Sequence, residues 1–136
     1  MKTIKTIADL KRAVKVGAKI GYIHYNNRSS KTPAGEFISE AIHNPIREIS
    51  IVMSHAFAIR TQHTDGTLID SWVIYPKGKD CKIEGNKVTV FERDFRHIGK
   101  LQVNQLPMVP VATFWIEDDA QDTANKEVGE IIFATI

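Results

Sequence analysis

Apolar and polar side chains alternate from Arg47 to Phe91, and this alternation is the strongest organising signal in the chain. Ile49, Ile51, Met53, Phe57 and Ile59 share one parity between Arg47 and Thr61, and only His55 breaks it. The run is long for one strand, so a bend or bulge near Ser54-His55 is expected to divide it in two. Thr64-Asp65-Gly66 is a hairpin turn signal. The returning strand, Leu68 to Tyr75, places Leu68, Trp72 and Ile74 on one face and Ile69, Val73 and Tyr75 on the other; Pro76 stops it. Ile83 and the pair Val88/Val90 flank a second tight turn, Glu84-Gly85-Asn86.

On either side of this meander the pattern changes period. Ile7, Leu10 and Val14 recur at helical spacing, which predicts a helix over Thr6 to Val16. Thr6 is suited to the N-cap, Asp9 answers it three residues on, and Gly17 suits the C-terminal stop. Ala18 to Tyr25 reads as a strand, and the polar stretch Asn26 to Gly35 as a loop. Phe37, Ile38, Ala41 and Ile42 fit a short amphipathic helix over Glu36 to Ile42, ended by Asn44-Pro45. Leu101 to Asn104 and Val109 to Glu117 read as strands, Glu117 to Lys126 as an acidic loop, and Val128 to Ile136 as a final strand pairing in the sheet or in an oligomer interface. The expected class is α+β: mainly an antiparallel β-sheet meander with a short N-terminal helix and a second short helix, in a single β-rich ligand-binding domain spanning 1–136.

Charge narrows the partners. Eighteen basic against 16 acidic side chains give a net charge of +2, too balanced for sequence-blind binding of a nucleic acid duplex. The acids gather late, so the first hundred residues are the more basic part and suit a local anion site. Cys81 is the lone cysteine, which excludes an internal disulfide and a multi-cysteine zinc site and fits a reducing compartment. No secretory h-region is apparent and no apolar run approaches the ~20 residues of a membrane span, so a cytosolic protein without membrane partners is expected.

Candidate chemistry points to binding more than to catalysis. The five histidines lack metal-ligand spacing, and there is no phosphate loop, dinucleotide glycine fingerprint or nucleophile elbow. Solvated or core-edge histidines are the better explanation, and Cys81 has no histidine at motif distance. Lys11, Arg12, Lys15 and Lys19 read as a solvated helix face. A nucleotide needs a flat apolar surface for its base, donors for its phosphates and a few polar groups for its ribose. Phe57, Trp72 and Tyr75 are candidate platforms, although the parity of Phe57 favours a core position. Arg47, Arg60 and Lys77 lie near strand ends and suit phosphates; Asn86 in its turn suits a base edge, and Arg28 in the polar insert suits closure over a ligand. Arg60 opposes the Phe57 face, so the two would serve one ligand only through different pockets or a subunit interface.

The segment Ile46-Arg-Glu-Ile-Ser-Ile-Val-Met-Ser-His-Ala-Phe-Ala-Ile-Arg-Thr61, with Ser71-Trp72, Tyr75-Pro76-Lys77, Gly85-Asn-Lys-Val-Thr-Val90 and the opening Ile4 to Gly17, resembles the first family of Thoeris anti-defence proteins. The resemblance covers 4–20 and 46–91; the insert around Asn26 to Asn44 and the tail after Asp94 depart from it. Members of that family are phage sponges that sequester cyclic ADP-ribose isomers made by a bacterial immune system and do not cleave them. The resemblance therefore implies a phage anti-defence protein acting in the cytoplasm of an infected bacterial host. It implies a homo-oligomer, dimer or hexamer, that binds a cyclic ADP-ribose isomer and in some members cyclic oligonucleotides. It implies binding without enzymatic activity, and no cofactor or metal is expected. It carries Phe57, Arg60, Trp72 and Lys77 over as ligand contacts, whereas Arg47, Asn86 and Arg28 rest on their chemistry alone. The alternative is a protein-directed phage inhibitor that binds a host defence protein through its sheet edge or acidic tail.

Overall fold

The computed structural model describes residues 1–117; the acidic loop and final strand expected beyond Glu117 lie outside them. Among the described residues the order is α1 (Ile7–Ala13), β1 (Lys19–Lys31), β2 (Phe37–His43), β3 (Arg47–Val52), β4 (Ala56–Gln62), β5 (Leu68–Ile74), β6 (Cys81–Glu84), β7 (Lys87–Arg93) and β8 (Met108–Ile116), with three short 3-10 turns. The class is α+β, dominated by one antiparallel sheet ordered β5-β4-β3-β1-β8-β7-β6, with β2 also paired to β1.

Helix α1 starts as its sequence dictates. Thr6 accepts from the Asp9 amide, and the Asp9 carboxylate accepts from the Thr6 amide, a reciprocal capping box. The helix ends at Ala13, short of the expected Val16; Val14 takes an extended conformation as C-cap and Gly17 turns the chain at φ 88°. Leu10 and Val14 are buried with Ile4 against the sheet.

Several expectations are corrected. The division at Ser54-His55 is a complete hairpin turn, closed by Met53 N–H donating to Ala56 O at 2.8 Å, and the bulge lies earlier, between Ile49 and Ile51. That bulge moves Ile51 out of the core parity: Ile49, Phe57 and Ile59 are buried, while Ile51 and Met53 are exposed. Asn26 to Gly35 is mostly strand, because β1 runs on to Lys31 and turns only at Thr32–Gly35. The segment expected as a second helix is β2, which pairs with β1 from Ile23↔His43 to Lys31↔Phe37 and forms a two-stranded arm. Leu101 to Asn104 is likewise not a strand; Leu101 makes an isolated bridge to Ile98, and Val103–Gln105 is a 3-10 turn.

The sheet is curled. Phe57 of β4 and Phe114 of β8 are separated by β3 and β1, which in a flat sheet would place them roughly 14 Å apart. Their ring centroids lie 6.0 Å apart. The two end strands, β5 and β6, are joined by only Tyr75–Asp80, a link that reaches across the sheet only if its ends approach one another. The concave face holds the core: Ile4, Leu10, Val14, Ile20, Ile49, Phe57, Ile59, Val88, Phe114 and Ile116.

Candidate functional site

The concave face continues beyond this core into an open groove. On β1 the core residue Ile20 is followed on the same face by Tyr22 and His24; on β8, Ile116 and Phe114 give way to Ala112. Strand β6 ends its pairing at Cys81↔Val90, so Phe91 to Arg93 of β7 extend past it. The gap between that part of β7 and β5 is a groove of about 1020 Å³, large enough for a dinucleotide-sized ligand, sites for small molecules running to ~1,000 Å³.

Its lining joins residues distant in sequence. Tyr75 comes from the end of β5, Lys77 from the link to β6, His24 from β1, and Phe91 and Arg93 from β7. Tyr75 rests on Phe57 (centroids 5.3 Å apart), with the Lys11 ammonium 5.3 Å from the centre of its ring. Burial raises the phenol pKa of both Tyr22 and Tyr75, so both stay neutral donors near pH 7. Arg93 donates to two neutral carbonyls, Asn104 O at 3.3 Å and Leu106 O at 3.1 Å. Those bonds fix its guanidinium without cancelling its charge. Asp80 and Glu92 also line the groove, so its field is mixed and its cations are placed individually.

Of the residues expected at a site, the structure brings Lys77 to this groove; Trp72 reaches only its edge, because its pairing with Ala58 puts it on the outer face with Arg60 and Asp70. Phe57 is fully buried, so it is corrected from ligand platform to the support beneath Tyr75. Arg60 lies on the opposite face, in a row of alternating charge. Lys19 pairs with Glu48 at 2.6 Å, Glu48 stands across from Arg60, and Arg60 across from Asp70. The Glu48 carboxyl is held below the usual range by its hydrogen bond to Lys19, then by the charges of Lys19 and Arg60. Arg47 is opposite Ile20 at the start of β3, outside the groove lining. Asn86 is committed elsewhere, its Oδ1 accepting from the Ile4 amide at 3.1 Å. Arg28 is on the β1–β2 arm, paired with Glu40 at 2.7 Å. None of these four lines the groove.

No protein-family model, curated protein or solved structure matches this chain.

The groove's own features weigh on what it can do. Among the described residues no group of three or more His, Cys, Asp or Glu side chains is placed to hold a metal ion. Burial and the neighbouring Asp80 push the Cys81 thiol up, away from the reactive thiolate. Sequence reasoning had Tyr75 as a platform but missed His24, Phe91 and Arg93, whose convergence depends on the curl. The one local signal was that Phe91 and Arg93 continue the strand started by Val88 and Val90. No helix among the described residues is long and apolar enough to cross a membrane.

Proposed function

We propose that this protein is an anti-defence sponge. In this reading it binds and sequesters a cyclic ADP-ribose-type signal, or a related cyclic oligonucleotide, without cleaving it, as a homo-oligomer in the cytoplasm of an infected bacterial host. The observation that carries the reading is the groove, where Tyr75 and Phe91 offer aromatic surface near the cations Lys77 and Arg93. Aromatic faces suit an adenine and fixed cations suit a pyrophosphate. Resemblance of 4–20 and 46–91 to the anti-defence family supplies the ligand class. Sequestration at nanomolar signal needs about −12 kcal/mol of binding free energy, which favours a lining fixed before the ligand arrives. Tyr75 packed on Phe57, and Arg93 held by two carbonyls, are fixed in this sense.

The test is direct. Protein purified from cells making the signal is denatured by heat, and the released small molecule is read by its ultraviolet spectrum and mass. Intact cyclic ADP-ribose isomer is the expected product. A linear, hydrolysed product would make the protein an enzyme. No released molecule, together with no heat on titration with cyclic ADP-ribose isomers and cyclic dinucleotides, would end the nucleotide reading.

A further inference from the structure

We propose that the outer edge of β5 pairs antiparallel with β5 of a second copy of this chain, in a register centred on Ser71. The inference deepens the oligomeric part of the reading above and is independent of which ligand the groove takes.

Strand β5 is an end strand of the sheet, and all seven of its residues, Leu68 to Ile74, pair with β4 without a bulge. Its far side therefore presents a straight row of backbone donors and acceptors with no strand partner among the described residues. Proteins blunt such edges with lysine, proline, bulges or short strands. The opposite end strand, β6, follows this rule: it is four residues long and displays Lys82 and Glu84 in an exposed ion pair. Strand β5 does not. Its lone charge is Asp70, already accepting from Ser50 Oγ at 2.6 Å, and it exposes Leu68 (57%), Trp72 (51%) and Ile74 (74%). Ala56 and Ala58, the small residues opposite Ile74 and Trp72 on β4, are buried, so this outer face is an apolar patch continuous with the edge.

A second copy fits this edge better than an arbitrary strand because β5 is self-complementary. With Ser71 on the twofold axis, Leu68 of one copy faces Ile74 of the other, and this apolar pair occurs twice. Asp70 faces Trp72 and not another Asp70, so no like charges meet. The same register brings the second copy's Leu68 beside Ile74 at the groove rim, so association would narrow the groove mouth.

Light scattering after size exclusion at micromolar concentration tests this on the full chain. The wild type is expected at twice the 15.3 kDa chain mass or a multiple of it. Leu68→Lys and Ile74→Glu, both at exposed positions, are each expected to halve the assembly mass with an unchanged circular dichroism spectrum. Mixing the two variants is expected to restore it, because the register sets the introduced lysine of one copy opposite the introduced glutamate of the other. A monomeric wild type would overturn the proposal, as would variants that assemble like the wild type or a mixture that stays apart. A monomeric Leu68→Lys variant that still takes up nucleotide would leave the ligand reading standing; an assembled protein that takes up none would end that reading and leave the interface.

Discussion

The carboxylate of Asp94 takes the guanidinium of Arg96 as a fork, Oδ1 accepting from Nε at 2.7 Å and Oδ2 from a terminal nitrogen at 2.8 Å. The second terminal nitrogen of Arg96 donates to the carbonyls of Arg28 and Ile38, both at 2.9 Å, and the guanidinium stacks 4.8 Å from the Phe37 ring. One arginine thus ties the β1–β2 arm to the 3-10 turn at Phe95–His97. Both side chains are largely buried. Arg96→Ala is expected to cost about 3 kcal/mol in urea unfolding at neutral pH, because it strands a buried carboxylate.

The same pair sets an acid limit on stability. Hydrogen bonding from Arg96 holds the Asp94 carboxyl below its ordinary range, against the opposing effect of burial. A carboxyl with a depressed folded pKa contributes fully above its unfolded value of about 3.9 and loses that contribution as pH falls through the folded value. Stability should fall on acidification below about pH 4. The fall should be shallower in Asp94→Asn, measured by thermal melts across the acid range.

Phe57 and Phe91 should separate cleanly as core and ligand contact. Phe57→Ala removes a fully buried ring packed on Tyr75 and Phe114, and should lower stability by roughly 3–5 kcal/mol. Phe91→Ala changes a half-buried side chain at the groove, so unfolding should move less than in Phe57→Ala while nucleotide affinity falls by about 1–3 kcal/mol if a base stacks there. Calorimetry on both variants, with Lys77→Ala and Arg93→Ala beside them, checks the split. Equal affinity in Phe91→Ala and wild type would remove the stacking role.

How much of this was legible in the sequence depended on whether a signal was local. The α1 capping box was readable because Thr6 and Asp9 interact within one turn. The β3–β4 break was readable because His55 interrupts the apolar parity, although the chain reverses there and does not merely bend. Strand β2 was not readable. All of it is exposed or half-buried on both faces, so its apolar residues carry no period-two signal, and Phe37, Ile38, Ala41 and Ile42 mimic helical spacing. Only pairing with β1 makes it a strand. The groove was half-readable: Tyr75 and Lys77 are neighbours in sequence, whereas His24 and Arg93 join them only because the sheet curls and β6 stops at Cys81.

The indole of Trp115 lies across Gly21, its cross-strand partner. A Cβ added at Gly21 would sit 2.0 Å from Trp115 Cε2. The ring is held in place, with its Nε1 donating to Glu117 at 2.6 Å and the Lys87 ammonium 4.5 Å from its centroid. Gly21→Ala should therefore displace the ring and cost roughly 1–3 kcal/mol, as overpacking does. In a Trp72→Phe background Trp115 is the remaining indole, and its emission should shift to the red as the ring leaves its seat. Unchanged emission would mean the strands part and the ring stays.

Asn86 gives the sharpest contrast between a turn role and a ligand role. Gly85 and Asn86 both have positive φ, 58° and 64°, as a two-residue hairpin with matching twist requires. The Asn86 side chain then reaches the Ile4 amide and pins the N-terminal segment, whose Ile4 is part of the core. Asn86→Gly keeps the backbone conformation and loses only that bond, an expected cost of about 1 kcal/mol. Asn86→Ala loses the bond and adds left-handed strain of roughly 1–2 kcal/mol, so its melting temperature should fall further. Nucleotide affinity should be the same in both as in the wild type, because Asn86 is outside the groove lining. A loss of affinity in Asn86→Gly without a matching loss of stability would instead put Asn86 in contact with the ligand.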